Sequence, residues 1–107
     1  MSLKTKGFKT SQQRKQHFAD HGRDVSAANE MQYEAMADNF IGSPLPKMIL
    51  QAKRPYRDVL VRYNPFTNEL AVLGSDGFIK SYFKPSALKH RLPRNLDYYF
   101  SNAVMFK

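Results

Sequence analysis

Two periodicities divide this chain. Tyr33, Met36, Ala37, Phe40 and Ile41 recur at i, i+3, i+4, i+7 and i+8, the spacing of one buried face of an α-helix. Gly42, Pro44 and Pro46 end that helix, because glycine and proline break the ladder of backbone hydrogen bonds. Ser26 is the expected N-cap, with Glu30 near the positive end of the helix dipole. An earlier helix is expected from Thr10 to about His21, with Gly22 as its stop. From residue 58 the period changes to two. Val59, Val61 and Tyr63 fall on one face of a strand, Leu60 and Arg62 on the other. Glu69–Leu73 forms the next strand. In 78–84, Ile79, Ser81 and Phe83 alternate with Phe78, Lys80, Tyr82 and Lys84. Asn64-Pro65-Phe66-Thr67-Asn68 and Gly74-Ser75-Asp76-Gly77 are turn sequences, the second carrying the Asp-Gly pair of tight hairpins.

Helices followed by a meander of antiparallel strands make an α+β fold. At 107 residues there is room for one core, so residues 10–107 are expected to form a single domain preceded by a flexible basic arm at 1–9. Pro85 stops the last strand, residues 86–94 read as a basic loop, and Asn95 could cap a short final helix through Tyr99, Phe100 and Asn102. Eight Phe and six Tyr are enough to fill a core. No apolar run approaches the ~20 residues that span a bilayer, and the Lys-rich N-terminus lacks the apolar stretch of a signal peptide. A soluble chain is expected.

Charge adds a polarity to this picture. The net charge is +8, and it is uneven. Lys4, Lys6, Lys9, Arg14 and Lys15 have no acid among them. A second basic group spans 47–62 with only Asp58 against it, and a third spans 80–94 with none. Asp20, Asp24, Glu30, Glu34 and Asp38 make an acidic stretch between the first two. Such segregation suggests one face for a polyanion and another turned away from it.

The chain has no cysteine, which removes disulfides, thiolate nucleophiles and thiolate metal sites together. Glycine-rich phosphate loops and HExxH are missing as well. His17 and His21 stand at i, i+4, a spacing that can hold a metal, yet no third ligand is evident; no cofactor is expected. What remains is His17, His21 and His90 amid lysines, arginines and tyrosines. That set suits RNA cleavage without a metal. The 2′-hydroxyl attacks its own phosphate, histidines move the protons, and cations stabilise the developing charge. The same residues also suit two blander roles. A histidine on a helix is commonly structural, and His21 before Gly22 could simply cap the helix C-terminus.

Several words of the chain, in order, carry a family resemblance: His17-Phe18-Ala19-Asp20-His21-Gly22, Tyr33-Glu34-Ala35-Met36-Ala37, Arg57-Asp58-Val59-Leu60-Val61-Arg62-Tyr63-Asn64, Thr67-Asn68-Glu69, and Asp76-Gly77-Phe78-Ile79-Lys80-Ser81-Tyr82-Phe83-Lys84-Pro85. Together they resemble the ribonuclease toxin domains of the barnase–EndoU–colicin–RelE class, found at the C-termini of bacterial polymorphic and contact-dependent inhibition toxins. The resemblance covers about residues 14–102. It implies two N-terminal helices packed on an antiparallel sheet of about four strands. It also implies RNA, often tRNA, as substrate, and an acidic cognate immunity protein as partner. The setting it implies is the cytoplasm of a producing or target bacterial cell, with delivery as the C-terminal part of a larger secreted protein. The catalytic roles it implies map onto His17 or His21 on the first helix, and onto Lys80, Ser81 and Tyr82 on a late strand. Ser81 stands where a threonine is more usual, which keeps the hydroxyl. Candidate RNA contacts are Arg54, Arg57, Arg62, Lys84, Lys89, His90 and Arg91. Lys80, Tyr82 and Lys84 alternate with Ser81 along the strand, so both sets can serve one cleft only if the strand twists there. A non-catalytic nucleic-acid-binding module, or an adaptor whose basic face meets an acidic partner, would use the same basic surface.

Overall fold

A computed structural model describes residues 3–54 and 59–85. The basic loop expected at 86–94 and the final helix expected from Asn95 lie outside the described residues, as do Arg57, Lys89, His90 and Arg91. Two helices, α1 (Ser11–His21) and α2 (Glu30–Gly42), precede four strands: β1 (Leu50–Arg54), β2 (Val59–Asn64), β3 (Glu69–Leu73) and β4 (Ile79–Phe83). The strands form one antiparallel sheet in the order β1-β2-β3-β4. The architecture is α+β, as the two periodicities imply. No described helix is long and apolar enough to cross a membrane.

Local chemistry sets the helix ends. Thr10 has extended backbone, and its side chain accepts the N–H of Gln13 at 3.1 Å, which caps α1. Gly22 closes the helix through its N–H to the Phe18 carbonyl at 2.8 Å. A Cβ at Gly22 would stand 2.4 Å from Phe18 Cδ1 and 2.7 Å from the Phe18 carbonyl oxygen, so close approach requires glycine there. Asn29, rather than Ser26, caps α2, accepting the N–H of Gln32 at 2.8 Å. Ser26 instead sits at φ 62° in the turn between the helices, and capping needs the extended backbone that Asn29 has.

The sheet buries both faces. Tyr33, Ala37 and Ile41 of α2 pack with Ala71, Ile79, Tyr82, Phe8 and Val25 on one side, with Met36, Phe40 and Leu60 partly buried against them. Val59, Val61, Tyr63, Leu70 and Val72 are buried on the other. The Tyr33 hydroxyl donates to the Tyr82 carbonyl and so ties α2 to β4.

Strand β4 departs from simple alternation. Val72 pairs with Ser81, whereas Leu73 pairs with Ile79, so one extra residue, Lys80, is inserted in β4. This β-bulge turns Ile79 to the helix side with Tyr82 and leaves Ser81 and Phe83 on the side of Val72 and Leu70. The expected grouping of Ile79 with Ser81 and Phe83 fails for that reason. The hairpin before it is a three-residue loop, Ser75–Gly77, in which the Gly77 N–H bonds the Gly74 carbonyl and Gly77 takes φ 88°.

Residues 3–9, expected to be a flexible arm, belong to the fold. Phe8 forms a parallel bridge with Ile79 and is 6% exposed. Burial of its ring, together with the backbone hydrogen bonds on either side, outweighs the solvation of the neighbouring lysines.

Candidate functional site

A groove of about 370 Å³ opens between α1 and the β3–β4 hairpin, lined by Lys9, Gln13, His17, Asp76, Phe78, Ile79 and Lys80. Three chain segments meet there. The α1 helix carries Gln13 and His17 at i, i+4, hence on one face. The hairpin brings Asp76 and Phe78, and the bulged residue Lys80 follows them. The segment before α1 contributes Lys9.

His17 is the group in this groove best suited to move a proton. Its ring stacks on Phe8 with centroids 5.2 Å apart and planes at 23°, and lies 6.1 Å from the His21 ring. Nδ1 is buried with no hydrogen-bond partner, which leaves Nε2 as the nitrogen able to exchange a proton with a ligand. Burial pulls the pKa of His17 below its ordinary value. The neighbouring His21 pulls the same way, and Asp20 opposes them. A histidine so placed is neutral at pH 7 and ready to accept a proton.

The charges around it are mixed. Lys80 is exposed. The Asp76 side chain accepts the N–H of Phe78 at 3.1 Å. That bond, then Lys80 and Lys9, hold the Asp76 carboxyl below the usual carboxylate range. Asp76 therefore stays charged and offsets part of the positive field of the two lysines. Phe78 lies half-buried in the wall, with the Lys6 ammonium 5.5 Å from its ring centroid.

The other sequence candidates are placed elsewhere. His21 does not line the groove; its ring packs 5.2 Å from Phe83. The Ser81 hydroxyl donates to the Lys80 carbonyl at 2.8 Å, on the sheet side opposite Tyr82. Tyr82 is fully buried, its hydroxyl donating to Glu69. Burial first, and then Glu69, raise its pKa far out of the working range. Tyr82 is a core residue. Arg62 is also internal, 4% exposed. Its guanidinium donates to the carbonyls of Phe40 (2.7 Å) and Ser43 (2.8 Å) and to the Gln51 side chain (2.7 Å), which ties the end of α2 to β1 and β2. It does not line the groove of His17 and Lys80. Lys84 is half-buried just past β4, and Arg54 ends β1 at the edge of the sheet. Among the described residues, no three His, Asp or Glu side chains converge as a metal site requires.

No family model matches the chain, and neither does any curated protein. The site therefore rests on its own geometry. Of the residues singled out from sequence, His17 and Lys80 meet in the groove. Lys9, Gln13, Asp76 and Phe78 join them without having been singled out. For Asp76 and Phe78 a signal existed, since they flank the glycine of a hairpin that leads straight into Lys80. For Lys9 the only signal was its place in the N-terminal basic group, because its position in the groove depends on a non-local bridge.

Proposed function

We propose that this domain is an endoribonuclease that needs no metal, a toxin domain acting on tRNA or another structured RNA. The observation that carries the reading is that His17 and Lys80, distant in the chain, line one groove, with His17 held below its ordinary pKa by burial and Lys80 exposed. In this reading neutral His17 accepts the proton of a 2′-hydroxyl as it attacks the adjacent phosphorus. Lys80 neutralises the charge growing on the phosphoryl oxygens, and the 5′-oxygen departs taking a proton from a water molecule, whose hydroxide then recovers the proton held by His17. The products are a 2′,3′-cyclic phosphate and a 5′-hydroxyl end. Phe78, half-buried in the groove wall, is the aromatic ring nearest an unstacked base bound there. Lys6, Lys9, Lys80 and Lys84, together with Arg54, Arg57, Lys89, His90 and Arg91, supply the positive field for the backbone. An acidic immunity protein covering this groove would block it, and the bacterial cytoplasm is where RNA and such a partner meet.

The test is incubation of the full chain with total RNA in excess EDTA, beside His17→Ala and His21→Ala variants. Discrete fragments with cyclic-phosphate ends, lost in His17→Ala and kept in His21→Ala, are the expected result. Intact RNA together with a salt-sensitive mobility shift would replace the reading with a non-catalytic RNA-binding module.

A further inference from the structure

The acidic residues of α2 are not on a solvated face. Glu34 and Asp38 are 7% and 4% exposed, and both are turned onto the segment before α1. Asp38 accepts the N–H of Lys4 at 2.8 Å, the N–H of Thr5 at 2.6 Å and the Thr5 hydroxyl at 2.5 Å. Glu34 accepts the N–H of Phe8 at 3.0 Å and is approached by Arg14 at 3.6 Å. On its other side the segment joins the sheet, through the Lys6 N–H to the Gly77 carbonyl (2.9 Å) and the Ile79 N–H to the Gly7 carbonyl (2.7 Å). Gly7 lies at φ 69°, and a Cβ there would stand 2.7 Å from Glu34 Oε2. Both the backbone conformation and the space demand glycine.

Burying two carboxylates is unfavourable unless donors satisfy them. A helix that needed only an apolar face would not carry them at i, i+4 beside Tyr33 and Ala37. Here the donors all come from residues 4–8, apart from Arg14 on Glu34. The pinned segment delivers two side chains. Phe8 is held between His17 (5.2 Å) and Tyr33 (5.7 Å), and Lys9 is set into the groove that holds Lys80.

We propose that residues 4–9 are an anchored strap that completes the groove, with Lys9 as a second cation for the phosphodiester and with Asp38, Glu34 and Phe8 as positioning residues for Lys9 and His17. The assignment rests on the ribonuclease reading of the same groove. A phosphodiester carries one negative charge over two non-bridging oxygens, and Lys9 and Lys80 approach it from separate elements.

Neither readout of the test is RNA cleavage. The His17 titration is followed by NMR, and affinity for a 2′-deoxy dinucleotide monophosphate is measured at several salt concentrations. The proteins are the full-length wild type, Lys9→Gln, Asp38→Asn and the double variant. Lys9→Gln is expected to leave melting and the His17 titration unchanged while weakening binding several-fold and reducing the salt slope by about one. Asp38→Asn is expected to release the strap. His17 then titrates closer to an ordinary histidine, binding falls as far as in Lys9→Gln, and the double variant binds no worse than Asp38→Asn alone. If Asp38→Asn does not fold, Thr5→Val removes one donor to Asp38 and is read by the same two measurements. An Asp38→Asn protein that melts earlier yet keeps wild-type titration and affinity reduces the strap to a structural brace. Wild-type affinity in Lys9→Gln, or no dinucleotide binding by the wild type, overturns the role of Lys9. Uncleaved RNA with the wild type sinks the ribonuclease reading and leaves both strap readouts standing.

Discussion

Ile79 and Tyr82 face the same side of the sheet although they are three residues apart, because Lys80 is inserted between them as a bulge. Alternation would have put them on opposite sides. The bulge settles how Lys80, Ser81 and Tyr82 divide: Lys80 enters the groove, Ser81 turns to the other face, and Tyr82 enters the core. Ser81→Ala is therefore expected to cleave RNA at close to the wild-type rate. Tyr82→Phe is expected to do the same while losing about 1–2 kcal/mol of stability with the hydrogen bond to Glu69. Initial rates beside urea unfolding decide both. A rate loss in either as deep as that of His17→Ala would put its hydroxyl in the chemistry.

The pH profile follows from His17. Its folded pKa lies below the ordinary value of 6.5, and a base acts in its neutral form. The cleavage rate should hold as pH drops to 6.5 and decline only below it. Stability has the same sign: the unfolded chain takes up the proton first, so the His17 contribution is complete above about 6.5 and is lost as pH falls from there through the lower folded value. His17→Gln should remove that part of the slope in urea melts between pH 5 and 8.

Arg62→Met should act on stability rather than on RNA. The carbonyls of Phe40 and Ser43 and the side chain of Gln51 lose their donor inside the protein, at a cost of about 3 kcal/mol. The salt dependence of RNA binding by the folded fraction should stay as it was. A shallower salt slope at unchanged stability would return Arg62 to the RNA contacts.

Asp76→Asn keeps the acceptor for the Phe78 N–H and removes a negative charge from the groove that Lys80 and Lys9 line. RNA affinity at low salt should rise, and the gain should fade as salt screens the lysines. Weaker binding would mean that Asp76 orders the lysines more than it competes with the phosphate.

Gly22→Ala should cost about 1–3 kcal/mol, because the new methyl meets the Phe18 carbonyl oxygen at 2.7 Å, which no side-chain rotamer relieves. Thermal melting of the variant measures it directly.

What the chain states locally, the sequence alone determined. The stripe Tyr33–Ala37–Ile41, the end of α1 at Gly22 and the two hairpins are written in neighbouring residues, and caps and turns act over a few positions. The sequence also singled out His17 and Lys80, which the structure brings to one groove. Strand β1 was not legible residue by residue. Leu50-Gln51-Ala52-Lys53-Arg54 has little alternation, and it is a strand because β2 offers a free edge to it. Asp38 and Glu34 look solvated until residues 4–8 arrive to satisfy them. The same docking carries Lys9 into the groove. The bulge at Lys80 likewise exists only in the pairing of β4 with β3. Each of these depends on backbone groups far apart in sequence finding one another, and a hydrogen bond between distant residues leaves no periodic trace in either.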